Sequence, residues 1–197
     1  MLRVWAKDEP FGAELADITI SGDNWSAAGV AIGTQPLPYR LEYQLTTVDH
    51  YATARLVMRT QGEGWHRGLV LERAASGRWS CTTESVGADD LPAPGGDLTA
   101  VTGALDCDLA WSPLTNSMPV LRHRLHERGG PIDFLMAWVS VPDLAVHPSR
   151  QRYTFVRREA RASIVRFESL DSAFAADISF DDMGVVLDYP GIARRIA

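Results

Sequence analysis

Lysine is almost missing from this chain: of 19 basic residues, Lys7 is the single lysine and the rest are arginine. Coding base composition accounts for that bias, and a set of guanidinium forks for carboxylates or phosphates is the functional alternative. Cysteine is scarce as well. Cys81 and Cys107 are too few for a disulfide framework, so both are expected as reduced thiols among small core residues. No stretch has the length and apolarity of a membrane span. The opening "MLRVWAKDEPFG" has no apolar run leading to a cleavage pattern, so a soluble cytoplasmic protein is the expectation. A net charge of −6 speaks against general attraction to nucleic acid or anionic lipid.

Familiar catalytic punctuation is missing too. There is no GxSxG elbow, and "GDNWSAAGVAIG" has glycines but neither the dinucleotide spacing nor a helix after it. His123 and His126 sit in "HRLHE", which is not the zinc-protease arrangement, and they read as exposed histidines on a helix. No metal and no cofactor are expected.

What is present is an ordinary globular balance, 46% hydrophobic and 22% charged over 197 residues, which fits one domain spanning 1–197. Apolar residues mostly alternate with polar ones. Leu41, Tyr43 and Leu45 share a face, as do Tyr153 and Phe155; so do Phe174, Ala176, Ile178 and Phe180, and then Val185, Leu187 and Tyr189. That period of two predicts half-buried strands. Gly, Pro and Asn clusters break the pattern every ten residues or so, which predicts a long antiparallel meander. Residues 86–103, "VGADDLPAPGGDLTAVTG", read as a mobile surface loop.

One segment departs from the alternation. Leu114, Met118, Leu121 and Leu125 follow helical spacing, with Ser117 as N-cap, Pro119 in the first turn and Gly129-Gly130 as the stop. A single helix over about 117–127 is predicted, plugging the concave side of a curved sheet.

Just ahead of it, Asp106 and Asp108 fall on one face of a predicted strand and repel unless a cation or proton intervenes. Arg122 borders the helix's buried stripe. Three readings stay open: Arg122 clamps both aspartates in a structural knot; Arg122 meets a phosphate or sugar acid of a ligand; or the aspartates form an acid–base pair. Six tryptophans, including Trp79 and Trp111, serve either core packing or a groove for sugar rings or acyl chains.

Taken in order, "LDCDLAWSPLTNSMPVLRHRL", "WVSVPDLAVHPSRQRYTFV" and "FAADISFDDMGVVLDYPGIARRIA" resemble the putative glycolipid-binding family, formerly a domain of unknown function. The matching positions are Asp106, Asp108, Thr115, Asn116, Arg122, Gln151, Tyr153 and Tyr189. The resemblance implies a spiral β-roll wrapped around one α-helix, a homodimer, and a lipid-like or glycolipid-like ligand. It carries no catalytic assignment. The expected ligand contacts are Asp106, Asp108, Asn116, Arg122, Trp79, Trp111 and Tyr153. The tail is expected against Leu114, Met118 and Leu121, and the head near Arg122. Two alternatives stand beside that: a hydrolase acting on a small carbohydrate or acyl ester through Asp106 or Asp108, and a protein–protein module that dimerises by strand addition.

Overall fold

The computed structural model describes residues 1–7 and 9–197. Seven strands come first: β1 (Leu2–Lys7), β2 (Gly12–Ser21), β3 (Asn24–Gly33), β4 (Tyr39–Val48), β5 (Ala52–Gly62), β6 (Trp65–Arg73) and β7 (Trp79–Val86). A 3-10 turn at Leu98–Val101 leads to β8 (Asp106–Leu109), a second at Leu114–Asn116 and the helix α1 (Ser117–Arg122). Six more strands follow: β9 (Ile132–Val139), β10 (Val146–Arg158), β11 (Ser163–Ser169), β12 (Ala175–Phe180), β13 (Val186–Tyr189) and β14 (Ala193–Arg195). All fourteen belong to one open sheet in the order β7-β6-β5-β4-β3-β2-β1-β14-β13-β12-β11-β10-β9-β8. Every pairing is antiparallel except β8 with β9.

The meander begins at the middle of the sheet, runs out to β7, crosses to β8 at the other end and returns to pair β14 with β1. Burial alternates along β2, β3 and β4, so the period-two reading of Leu41, Tyr43 and Leu45 holds residue by residue. It slips in the 185–189 stretch. A register shift beside Phe180 puts Val186 opposite it, so Val186 is fully buried while Leu187 is only half-buried.

Two strand glycines make room for aromatic rings. A Cβ on Gly29 would run into the Tyr43 ring, and one on Gly33 into the Tyr39 ring. Each tyrosine therefore lies flat across its neighbouring strand. The Tyr43 hydroxyl then donates to Glu14 Oε1 at 2.7 Å, as does the Ser112 hydroxyl at 2.7 Å. Burial pushes the Glu14 carboxyl up and the nearby Lys7 amine down. The single lysine of the chain is thus a core residue.

The predicted helix is shorter than its sequence pattern. It ends at Arg122, because Arg124 adopts φ of +52° and turns the chain. Leu125 and His126 then fall inward, so His126 is buried rather than exposed as expected. The helix starts without a side-chain cap: its first turn continues the Leu114–Asn116 3-10 turn, with Asn116 already helical. Leu114 and Met118 join a core cluster with Trp5, Ile18 and Leu45, while Val120 and Leu125 join a second with Tyr153, Val165 and Phe180.

The segment between β7 and β8, expected as a surface loop, is anchored at Gly95 and Val101. Gly95 N–H donates to Leu144 O at 2.9 Å and Gly95 O accepts from Val146 N–H at 2.7 Å, while Val101 is fully buried. It has to cross from one end of the sheet to the other, and those bonds satisfy its backbone on the way.

Candidate functional site

The paired aspartates separate in fate. Arg122 grips Asp106 with both ends of its guanidinium, Nη1 to Oδ2 at 2.8 Å and Nη2 to Oδ1, and its Nε donates to His50 O at 2.9 Å. Both side chains are more than nine-tenths buried. Burial pushes the Asp106 carboxyl up, and the guanidinium opposes that rise. Of the three readings open in the sequence this is the structural knot, but it holds one aspartate and not two. Residues two apart on a strand are roughly 6.7 Å apart, beyond the span of one guanidinium.

Asp108 is held by neutral donors instead. Thr115 Oγ1 donates to its Oδ1 at 2.8 Å and Gln151 Nε2 to its Oδ2 at 2.7 Å. Gln151 is oriented in turn: Asn116 Nδ2 donates to the Tyr153 hydroxyl at 2.8 Å, which donates to Gln151 Oε1 at 3.0 Å. Burial raises the Asp108 carboxyl to about 6, with the two hydrogen bonds opposing.

Asp108 looks into a cleft of about 370 Å³. The strand register explains its floor. Asp108 on β8 stands beside Trp138 on β9, and Gln151 on β10 beside Ser169 on β11, all on the inward face. Trp111, at φ of +64°, contributes a ring from the turn after β8. Phe167, Phe174 and Tyr189 complete five aromatic rings, with serine hydroxyls and the Asn116 and Gln151 amides between them.

A second hollow of about 500 Å³ lies beside Arg122. It is larger, but Tyr51 is its one ring among Phe, Tyr and Trp, and its charges are committed internally: His50 to Asp23, Arg124 to Glu127, Arg122 to Asp106. The aromatic cleft is the better site for an organic ligand.

The sequence profile described as Putative glycolipid-binding matches residues 2–195. The chain belongs to that family. It is also similar to a DUF1089 family protein from Pseudomonas aeruginosa, whose crystal structure aligns at a TM-score of 0.70 and 27% identity over 93% of this chain and 92% of that one. No curated protein matches it.

Of the ligand contacts expected for a member of the glycolipid-binding family, Asp108, Asn116 and Trp111 line the aromatic cleft. Asp106, Arg122, Trp79 and Tyr153 are not part of that lining. Trp79 is a core residue donating to Ala104 O at 3.1 Å, and Tyr153 acts behind the cleft through Gln151. Leu114 and Met118 have no exposed surface to offer a tail. An acid–base pair is not supported, because among the described residues Asp108 is the one carboxylate lining the cleft. Trp138, Phe167, Phe174 and Ser149 went unrecognised as lining. For Trp138, Phe167 and Ser149 the signal was alternation on strands that become neighbours only through the meander, and Phe174 lies just ahead of β12. Among the described residues no group of His, Cys, Asp and Glu is placed to hold a metal ion, and no helix is long and apolar enough to cross a membrane.

Proposed function

We propose that this protein binds a glycolipid-like ligand without transforming it, in the cleft between Trp111 and Trp138. The carrying observation is that one cleft combines five aromatic rings with a row of hydroxyl, amide and carboxyl groups. Sugar rings present apolar C–H faces to aromatic planes and hydroxyls to polar groups, and an acyl or alkyl segment suits Phe167, Phe174 and Ile192. The cleft volume lies within the range of roughly 300–1,000 Å³ common for small-molecule sites. The family description points the same way.

In this reading the sheet is a roll curled around α1, whose residues pack into both core clusters. The protein works in the cytoplasm as a homodimer joined along β7, which among the described residues has a strand on one side only. Sedimentation velocity tests that pairing, a concentration-independent monomer being the contrary result.

The ligand test is calorimetric titration with octyl β-D-glucoside below its micelle concentration. Saturable one-site binding is expected, weakened roughly tenfold or more by Trp138→Ala. Absence of saturable binding, or binding indifferent to that substitution, refutes the proposal.

A further inference from the structure

We infer that the head group selected by this cleft carries an ammonium: the Asp108 carboxylate and the Trp111 and Trp138 rings form a site for an amine-bearing sugar rather than an acidic or phosphorylated one. The inference rests on the cleft being the binding site and adds the charge of its ligand.

The argument is one of missing countercharge. Asp108 is about nine-tenths buried, yet its hydrogen-bond donors are the neutral Thr115 hydroxyl and Gln151 amide. A buried carboxylate without a cation is costly, and a ligand ammonium supplies one. The basic group that the sequence places nearest, Arg122, is spent on Asp106. Among the described residues no Arg, Lys or His lines the cleft.

The groups facing Asp108 reinforce this. Asp106 on the same strand adds negative potential, and the Tyr153 and Tyr189 phenols behind and beside it are kept protonated by burial. Outside the lining, Asp143 accepts from the Ser140 hydroxyl at 2.6 Å, and Asp171, next to Ser172 in the chain, is paired with Arg150. Trp111 and Trp138 offer electron-rich ring faces that attract a cation further. A phosphate or carboxylate ligand would instead bring a second negative charge against Asp108.

Three probes differing in head-group charge test this: octyl β-D-glucoside, its 2-amino-2-deoxy analogue and octyl β-D-glucuronide, each titrated calorimetrically at pH 7 and pH 5. At pH 7 the amine should bind roughly tenfold tighter than the neutral glucoside, and the glucuronide weakest. The amine's advantage should shrink at pH 5, where Asp108 takes up a proton, and Asp108→Asn should remove it at pH 7. Should the Asn variant fail to fold, the pH series on the native chain decides alone. Neutral and amine probes binding equally at pH 7, or the glucuronide binding tightest, overturns the ammonium inference and leaves the cleft reading intact. If no probe binds, both fall together.

Discussion

Arg122 holds Asp106 through two parallel hydrogen bonds, and both side chains are more than nine-tenths buried. Arg122→Leu strands that carboxylate, at a cost on the order of 3 kcal/mol or more. For a chain of this length that corresponds to a melting temperature lower by about 6–12 °C. Replacing Asp106 by Leu as well removes the stranded charge and should recover much of the loss. Thermal melts of the single and double variants check this; a single variant melting like the native chain rules the clamp out. Asp108 makes a different kind of prediction. Its carboxyl is raised in the folded state, so its stabilising share is present at acid pH and lost as pH rises through about 6. His123 and His126, both pushed down by burial, titrate in the opposite sense nearby. The difference between native protein and Asp108→Asn isolates the carboxyl. From pH 5 to pH 7 urea unfolding should shift by about 1 kcal/mol in favour of the Asn variant. A pH-independent difference contradicts the assignment.

Among the elements, β3 shows how small residues on a strand set up chemistry elsewhere. With no side chain at Gly29, Tyr43 lies across it and reaches Glu14, which Ser112 also meets from the edge of the cleft. Gly29→Ala should displace that ring and cost about 2 kcal/mol. Gly68→Ala on β6 puts a methyl at an ordinary 3.4 Å from Glu84 and should be neutral or slightly stabilising. Equal effects of the two in chemical denaturation would contradict this account of the strand. The elements also show what local pattern reveals. Alternation made β4 legible through Leu41, Tyr43 and Leu45, and the four-three-four spacing located α1. The early end of α1 was not legible, since Arg124 turns the chain although its neighbours continue an apolar spacing. Nor was the anchoring of 86–103: its composition suits a loop, while its bonds to Leu144 and Val146 come from strands far along the chain.

At the scale of the whole molecule, the cleft is a product of topology. Asp108, Trp138, Gln151 and Ser169 lie on four different strands and meet because β8 to β11 lie side by side at one end of the sheet. The sequence carried Asp108, Asn116 and Trp111 because they cluster locally, and it led toward Arg122 because a basic residue near two acids invites a ligand reading. Only the assembled sheet shows that the guanidinium is committed and that the aromatic side of Asp108 is the open one. The most direct test of that placement is a crystal structure of the protein soaked with octyl β-D-glucoside. The account predicts a sugar ring between Trp111 and Trp138, hydroxyls within hydrogen-bond reach of Asp108 and Gln151, and the alkyl chain along Phe167 and Phe174. A ligand seated instead in the hollow beside Arg122, or on the outer face of the sheet, would contradict it.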